Sequence, residues 1–181
     1  MRVPRAPPAR APIQPTRLLI DALAFVLLQS RVGPGLQLGY DVDIRPSPGR
    51  GSGAFALRDI PAGSFVGRYT GAMHSTREYA RLVAAGQVSG AYAFGAGGDW
   101  LVDAEDEASS SWHRFINHSR RRPNLVACVA YWWLGPLGIV YFCATRDIRR
   151  GDELFFDYGD EYWDARVKRA DVLSRLKIDL A

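Results

Sequence analysis

The sequence predicts a β-rich α+β domain that is closed by a C-terminal helix. From Leu36 onward, short segments such as "LQLGYDVDI" and "AFALRDI" are separated by turns rich in Gly and Pro, which is the pattern of short strands. The chain has 181 residues, the length of one domain with a terminal extension. We therefore expect an N-terminal extension over residues 1–35, a domain over residues 36–160 and a closing helix over residues 161–181.

The N-terminal extension has two parts of different character. Residues 1–17 carry only positive charge and are rich in Pro and Ala, so we expect them to be disordered. Residues 18–28, "LLIDALAFVLL", form an apolar run broken by Asp21, shorter than the roughly 20 residues of a membrane span. Two interpretations remain open for this run, a packed core helix or a targeting leader outside the mature protein. The rest of the chain has no long apolar segment, which predicts a soluble protein.

The domain itself is expected to contain one short helix among its strands. The first strands lie around the turn "RPSPGRGSG", and "FVGRYTG" continues the pattern. In "STREYARLVAAG", Ser75 and Glu78 form a capping box and Gly86 supplies the stop. Turns at Gly95 to Asp99 and around Gly135-Pro136 predict two hairpins.

A final strand and the closing helix complete the predicted order. "RRGDELFFDYG" gives a turn and a strand, and the apolar residues from Trp163 to Leu180 then recur at helical spacing. We therefore predict an amphipathic helix at the end of the chain.

Charge and cysteine content narrow the function classes. The net charge of +4 is carried by arginines spread along the chain, which does not indicate a nucleic-acid-binding stripe. Cys128 and Cys143 lie in apolar runs and are too few for a structural zinc site. We interpret them as buried free thiols in a reducing compartment.

Four segments occur in a recognisable order: "GRGSGAFALRDIPAGSFVGRYTG", "YAFGAGGDWLVDA", "RFINHSRRRPN" and "GDELFFDYG". Together they closely resemble the SET domain, the β-rich fold of S-adenosylmethionine-dependent protein lysine methyltransferases, over roughly residues 38–160. The resemblance implies a knot-like active site in which the "INHS" and "ELFFDY" segments thread past each other. It also implies that "RFINHS" forms a wall of the cofactor site rather than a surface turn.

The resemblance assigns three catalytic residues, Tyr158, Tyr69 and Phe156. Tyr158 matches the family's catalytic tyrosine and Tyr69 a second tyrosine of the lysine channel. Phe156 matches a position where Tyr favours monomethylation and Phe leaves room for more methyl groups, so di- or trimethylation is favoured. Methyl transfer to lysine is an in-line displacement that needs alignment of the reactants more than a protein nucleophile.

The resemblance also assigns a binding site for the cofactor, S-adenosyl-L-methionine. A Gly-rich turn lets the backbone approach a ligand closely, because side chains would obstruct it. The residues assigned to the cofactor are Arg50, Gly51, Ser52, Gly53, Tyr92, Arg114, Asn117, His118 and Tyr158.

The sequence departs from the zinc-dependent members of the family. Arg120 stands where those members have Cys after "NHS", and the tail has no cysteine, so we expect no metal. Aromatic residues such as Tyr162 or Trp163 would then close the lysine channel, unless the last helix packs elsewhere. Ala72 replaces the usual acidic residue near the channel rim. The arginines at 120–122 could bind an acidic peptide or phosphate, but we favour the interpretation that they lie in a solvated turn.

The resemblance therefore predicts a protein-lysine N-methyltransferase, with a histone tail as the default substrate. The alternative is a non-catalytic SET-like module that binds a peptide or partner, but Asn117, His118 and Tyr158 are all present. We expect no direct nucleic-acid partner and no membrane; the oligomeric state is left open. A nuclear location is favoured, with an organelle as the alternative because of the arginine-rich N-terminus.

Overall fold

The computed structural model describes residues 35–131, 138–160 and 162, and the predicted leader or helix at 18–28 and almost all of the predicted C-terminal helix lie outside these residues. The predicted β-rich fold with one small inserted helix is confirmed. The described strands and helix, in chain order, are β1 (Val42–Ser47), β2 (Gly51–Ala56), β3 (Phe65–Arg68), β4 (Ala72–Ser75), α1 (Thr76–Ala84), β5 (Ala93–Gly97), β6 (Trp100–Asp103), β7 (Asn117–His118), β8 (Leu125–Tyr131), β9 (Gly138–Ala144) and β10 (Phe155–Phe156).

The first hairpin is tighter than the sequence suggested. Strands β1 and β2 pair antiparallel from Val42 opposite Ala56 to Ser47 opposite Gly51. The turn therefore contains only residues 48–50, and the glycine-rich "GSG" stretch belongs to β2. As a result the Gly-rich stretch predicted to contact the cofactor is held in a strand instead of a loose loop.

Two three-stranded sheets form the body of the domain, with strand orders β3-β9-β8 and β4-β6-β5. The inserted helix α1 follows β4, and its first turn is capped by the Ser75 hydroxyl, which accepts a hydrogen bond from the Glu78 amide at 3.2 Å. Gly86, just past the helix, has φ of +68°, a left-handed conformation that glycine adopts without steric cost. Both ends of α1 thus agree with the sequence prediction.

A short parallel pair joins two distant parts of the chain. Strand β7 pairs with β10, Asn117 opposite Phe155 and His118 opposite Phe156. Asn124 extends this junction, because its side-chain oxygen accepts from the Phe155 amide at 2.7 Å and its amide donates to the Glu153 carbonyl at 2.8 Å. Asn124 is only 1% exposed. Its side chain thus takes the place of a neighbouring strand and fixes the segment after "INHS" against β10.

The core lies between the inner face of the β3-β9-β8 sheet and the elements that carry the predicted site. Its largest fully buried apolar side chains are Phe142, Ile60, Ile116, Ile148, Leu154, Val42, Val66 and Val140. Phe142 and Val140 come from β9, whereas Ile116 and Leu154 immediately precede β7 and β10. The same core that stabilises the sheets therefore positions the two segments predicted to form the active site.

One titratable group, His113, is buried in this core. Its ring stacks on Trp112 at 3.9 Å between centroids and on Phe142 at 6.0 Å. Its Nε2 lies 3.4 Å from the Val66 carbonyl oxygen, and its Nδ1 has no hydrogen-bond partner in the described part of the chain. Burial lowers the pKa of His113 to about 4. The imidazole is therefore neutral in the folded protein near neutral pH.

This burial predicts acid sensitivity of the fold. Between the ordinary histidine pKa of 6.5 and the folded-state pKa of about 4, the unfolded chain binds a proton at His113 that the folded chain does not. The stability that neutral His113 provides is therefore complete above pH 6.5 and is lost as the pH falls towards 4. We expect a loss of about 2 kcal/mol by about pH 5, measured by urea unfolding. A His113→Gln variant should lack this part of the pH dependence; an equal slope in both proteins would contradict the prediction.

No helix of the described residues is long and apolar enough to cross a membrane.

Candidate active site

An aromatic cluster occupies the junction of β7, β10 and the two three-stranded sheets. Phe156 is at its centre, with ring centroids 4.6 Å from Tyr158, 4.9 Å from Phe142 and 5.9 Å from Phe94. Tyr69 adds to the cluster at 5.8 Å from Phe94. The three predicted catalytic residues are thus brought together, although they come from two segments that are far apart in sequence. Their rings form an apolar environment that can desolvate a charged amine.

The two tyrosine hydroxyls of the cluster donate to backbone carbonyls. Tyr158 Oη donates to the Ile116 carbonyl at 2.9 Å, and Tyr69 Oη donates to the Tyr92 carbonyl at 2.7 Å. Burial, followed by the neighbouring Tyr158, raises the pKa of Tyr69. Tyr69 therefore stays protonated, and its hydroxyl proton is directed at the carbonyl. A phenol oxygen that donates its proton also carries lone pairs, which are hydrogen-bond acceptors.

A polar corner next to the cluster links β1, β2 and β7. Asn117 Nδ2 donates to the Ser52 carbonyl at 3.0 Å and to Glu153 Oε1 at 2.8 Å. The other Glu153 oxygen accepts from Ser47 Oγ at 3.0 Å. Gly53 lies directly against this corner, and an added Cβ there would collide with Glu153 Oε1 and lie 3.0 Å from Asn117 Nδ2. A side chain at position 53 would therefore displace the Glu153 carboxylate from the corner.

His118 connects β7 to the chain after β10. Its Nδ1 accepts a hydrogen bond from the Tyr158 amide at 3.1 Å, and its ring meets the Tyr158 ring edge-on at 5.2 Å between centroids. Nδ1 also lies 3.7 Å from Asp157 Oδ1. Accepting from an amide requires a lone pair on Nδ1, so Nε2 is the ring nitrogen that carries a proton. His118 thus orients Tyr158 through the backbone.

Arg114 is tied to the chain after β6. Its guanidinium donates to the Ala104 carbonyl at 2.8 Å and to the Glu105 carbonyl at 3.0 Å, and it pairs with Glu107 at 3.0 Å. It also lies over the Tyr92 ring, 4.2 Å from its centroid. All three nitrogens of Arg114 therefore contact the protein itself. The contact with the Tyr92 ring helps to position Tyr92, whose carbonyl accepts the hydrogen bond from Tyr69. The contact of Arg114 with the cofactor stays a prediction.

Arg120 lies where the sequence departs from zinc-dependent relatives. Its guanidinium pairs with Asp160 and lies 3.7 Å from Asp157 Oδ2. The chain then reaches Tyr162, whose ring packs edge-on against Tyr158 at 4.7 Å between centroids. No group of three or more His, Cys, Asp or Glu side chains in the described ranges is placed to hold a metal ion. Ion pairs and an aromatic contact therefore fix the chain just after Tyr158.

Arg50 lies in the exposed turn between β1 and β2. Its guanidinium stands over the Phe155 ring, 5.4 Å from the centroid, and its side chain is exposed. Gly51 and Ser52 are also exposed at the start of β2. The structure thus places Ser52 and Gly53 beside Asn117, and Arg50 at the outer rim of the same region.

Several residues of the site were missed by the sequence analysis. Phe94 and Phe142 line the aromatic cluster, Glu153 organises the polar corner, and Asn124 fixes the junction. Phe94 and Glu153 lie inside the quoted motifs "YAFGAG" and "GDELFFDYG", so their position beside named residues was an available signal. Phe142 appears in the sequence only as one apolar residue of an alternating strand, which gives no such signal.

Comparison with known proteins agrees with this architecture. The SET domain profile matches residues 51–159, more than half of the chain, and the protein belongs to the SET domain family. The histone-lysine N-methyltransferase EHMT1 is 35% identical to it over 124 residues in both mouse and human, which is 65% of this chain and 9% of each relative. The Arabidopsis thaliana histone-lysine N-methyltransferase ASHH1 is 35% identical over 126 residues, 66% of this chain and 24% of that relative. The chain thus spans less than a quarter of the length of these relatives.

Proposed function

We propose that this protein is a protein-lysine N-methyltransferase that takes its methyl group from S-adenosylmethionine. The observation that carries the proposal is the pair of tyrosines, Tyr69 and Tyr158, whose rings belong to one aromatic cluster. Their protons are directed to backbone carbonyls at 2.7 Å and 2.9 Å. Two oxygen acceptors surrounded by aromatic rings fit the N–H groups of a lysine side chain that has left water.

The polar corner and its surroundings fit the proposed cofactor. Exposed Arg50 is a cation suited to a carboxylate, whereas Glu153 and the Ser52 carbonyl are acceptors suited to an ammonium group. The half-exposed His118 ring offers a face for a purine. When bound, S-adenosylmethionine supplies a sulfonium methyl whose bond to sulfur breaks, with the electron pair kept by sulfur, as the lysine nitrogen bonds the carbon. Arg50, Ser52, Asn117 and His118 are the residues we propose to hold it.

The aromatic cluster would prepare the lysine for this displacement. A lysine ammonium has an ordinary pKa near 10.4, so it must lose a proton before its nitrogen can react. An apolar environment disfavours the charged form and lowers that pKa. Tyr69 and Tyr158 then hold the neutral amine by its N–H groups, which leaves its lone pair directed away from them. The protein thus contributes desolvation and alignment rather than a nucleophile.

The side chain at position 156 affects how many methyl groups the substrate lysine can receive. Phe156 is 6% exposed and carries no hydroxyl that could hold a water beside the amine. We therefore propose di- or trimethylation of the substrate lysine.

A Phe156→Tyr variant is expected to shift the products towards monomethyl-lysine. The added hydroxyl, or a water bound to it, would occupy the space that a second methyl group needs. Mass spectrometry of the product peptide after exhaustive reaction measures the shift, and we expect the higher methylation states to fall roughly tenfold or more. Phe94→Tyr is the matched control, because it adds a hydroxyl to another ring of the cluster. An unchanged product distribution in Phe156→Tyr would contradict the assignment.

The names of the relatives guide the choice of substrate. Both EHMT1 and ASHH1 are described as histone-lysine N-methyltransferases, and we propose a histone tail as the first substrate to test. A histone substrate would place the protein in the nucleus. The identity of the lysine is open to experiment.

The experiment that tests the proposal follows methyl transfer from labelled S-adenosylmethionine to core histones and to a cell lysate. The wild-type protein should label a protein band, and His118→Ala should lose that labelling, because it removes the group that orients the Tyr158 amide. If the wild type binds the cofactor but labels nothing in either mixture, the chain is a binding module and the enzymatic proposal is wrong.

A further inference from the structure

The outer face of the β3-β9-β8 sheet is almost entirely apolar. Its register places alternate residues of the three strands on this face, opposite the side that carries the buried Phe142 and Val140. Only one of its side chains is charged. The residues of this outer face are Phe65, Arg68, Val126, Cys128, Ala130, Ile139, Tyr141 and Cys143.

This composition is unlike that of a sheet face in water. Antiparallel sheets with one solvated face alternate apolar inward and polar outward residues, but here both faces are apolar. Val126 is 44% exposed, and Cys128, Cys143 and Tyr141 are half-buried. The sequence predicts two buried free thiols; both cysteines are free, but they are half-buried on this partly accessible face rather than buried. A contiguous apolar surface of this kind marks a binding face.

The chain enters the described domain at the edge of this outer face. The Leu36 amide donates to the Val66 carbonyl at 2.8 Å. A Cβ on Gly35 would lie 3.0 Å from the Val66 carbonyl oxygen and 3.3 Å from Cε1 of Phe65. Phe65 is itself a residue of the outer face, and its ring packs 6.0 Å from that of Tyr141. The residues before Gly35 therefore start beside the apolar surface.

We propose that residues 18–28 of the same chain bind the outer face and cover it. This segment is the apolar run "LLIDALAFVLL". Residues 29–34 connect it to Gly35, and six residues can reach about 20 Å. The three strands of the sheet span about 10 Å, so the connection is long enough to reach every strand.

The charges of the two surfaces agree with this pairing. Asp21 is the one charged residue of the segment, and Arg68 is the one charged residue of the outer face. The two charges are opposite in sign, which favours contact between the two surfaces. Burial of the apolar residues on both sides supplies the driving force.

The two cysteines provide a direct test, because both lie on the outer face and are free. Alkylation of Cys128 and Cys143 by iodoacetamide is followed by mass spectrometry in the full-length protein at about pH 8.5. We expect slow labelling in the wild type. In Leu23→Asp/Phe25→Asp, two buried charges would displace the segment, and labelling should become about tenfold faster or more. Arg10→Asp, in the Pro-rich stretch before the segment, is the matched control and should label like the wild type.

Three results would overturn the proposal. The first is wild-type labelling as fast as in the urea-unfolded chain, and the second is no acceleration in Leu23→Asp/Phe25→Asp when circular dichroism shows it folded. The third is wild-type protection that increases with protein concentration, since it would show that a second copy covers the face.

If the double variant does not fold, a photoreactive benzoylphenylalanine at position 25 tests the contact with little change in polarity. We expect cross-links within one molecule to peptides from β8 and β9. Cross-links only to other parts of the chain, or only between molecules, would overturn the proposal. None of these readouts depends on methyl transfer.

Discussion

Replacing Tyr158 with phenylalanine is expected to lower the rate of methyl transfer by about 10²- to 10³-fold, the usual effect of removing one positioned polar group from a transition state. The hydroxyl donates to the Ile116 carbonyl at 2.9 Å, and its oxygen is proposed to hold the lysine amine. Without it the amine loses one of its two acceptors and its alignment. The loss should appear in kcat, with cofactor affinity close to that of the wild type, as measured by calorimetry and steady-state kinetics.

Tyr141→Phe is the matched control for this change. It also removes a phenol oxygen, but from the outer face of the β3-β9-β8 sheet, on the side away from the aromatic cluster. We expect its activity to stay within about twofold of the wild type, because surface substitutions away from the site have small effects. Equal activity of Tyr158→Phe and the wild type would remove Tyr158 from the mechanism.

Replacing Gly53 with alanine is expected to weaken cofactor binding strongly. The new Cβ would collide with Glu153 Oε1 and lie 3.0 Å from both Asn117 Nδ2 and Ser47 Cβ, so the Glu153 carboxylate must move away from its place in the corner. Overpacking of this kind commonly costs about 1–3 kcal/mol of folding stability. Because the displaced groups are those proposed to contact the cofactor, affinity should fall by about 10²-fold, which isothermal titration with S-adenosylmethionine measures.

Gly95→Ala provides the control for the second prediction. Gly95 also lies in a strand, and an added Cβ there would meet nothing within 4 Å. The Gly95→Ala variant should therefore bind the cofactor with the affinity of the wild type. Unchanged binding in Gly53→Ala, with the protein folded, would show that the cofactor does not use this corner.

Short sequence patterns were sufficient to predict the elements of the fold whose structure depends on residues that are close in sequence. Helix α1 follows from Ser75 and Glu78 at its start and from Gly86 just past its end. The hairpin of β5 and β6 follows from the glycines between two short apolar runs. In both cases the interactions that decide the structure are close in sequence.

The arrangement of the site depended on contacts that no local pattern contains. Tyr158 and His118 are forty residues apart, and only the parallel pairing of β7 with β10 brings the Tyr158 amide to the imidazole. The role of Asn124 likewise depends on β10 lying beside it. The resemblance to a known family identified the site residues in the segments that contain His118 and Tyr158. It did not predict that Arg114 uses its guanidinium nitrogens on the protein.

The most direct test of the central claim is mass spectrometry of a substrate lysine after incubation with the purified protein and S-adenosylmethionine. Core histones are incubated with the wild type and, in parallel, with Tyr158→Phe, and the modified side chain is identified by fragmentation. We predict one or more methyl groups on a lysine nitrogen in the wild-type reaction and their loss in the variant. Methylation at equal levels with both proteins, or on a residue other than lysine, would contradict this prediction.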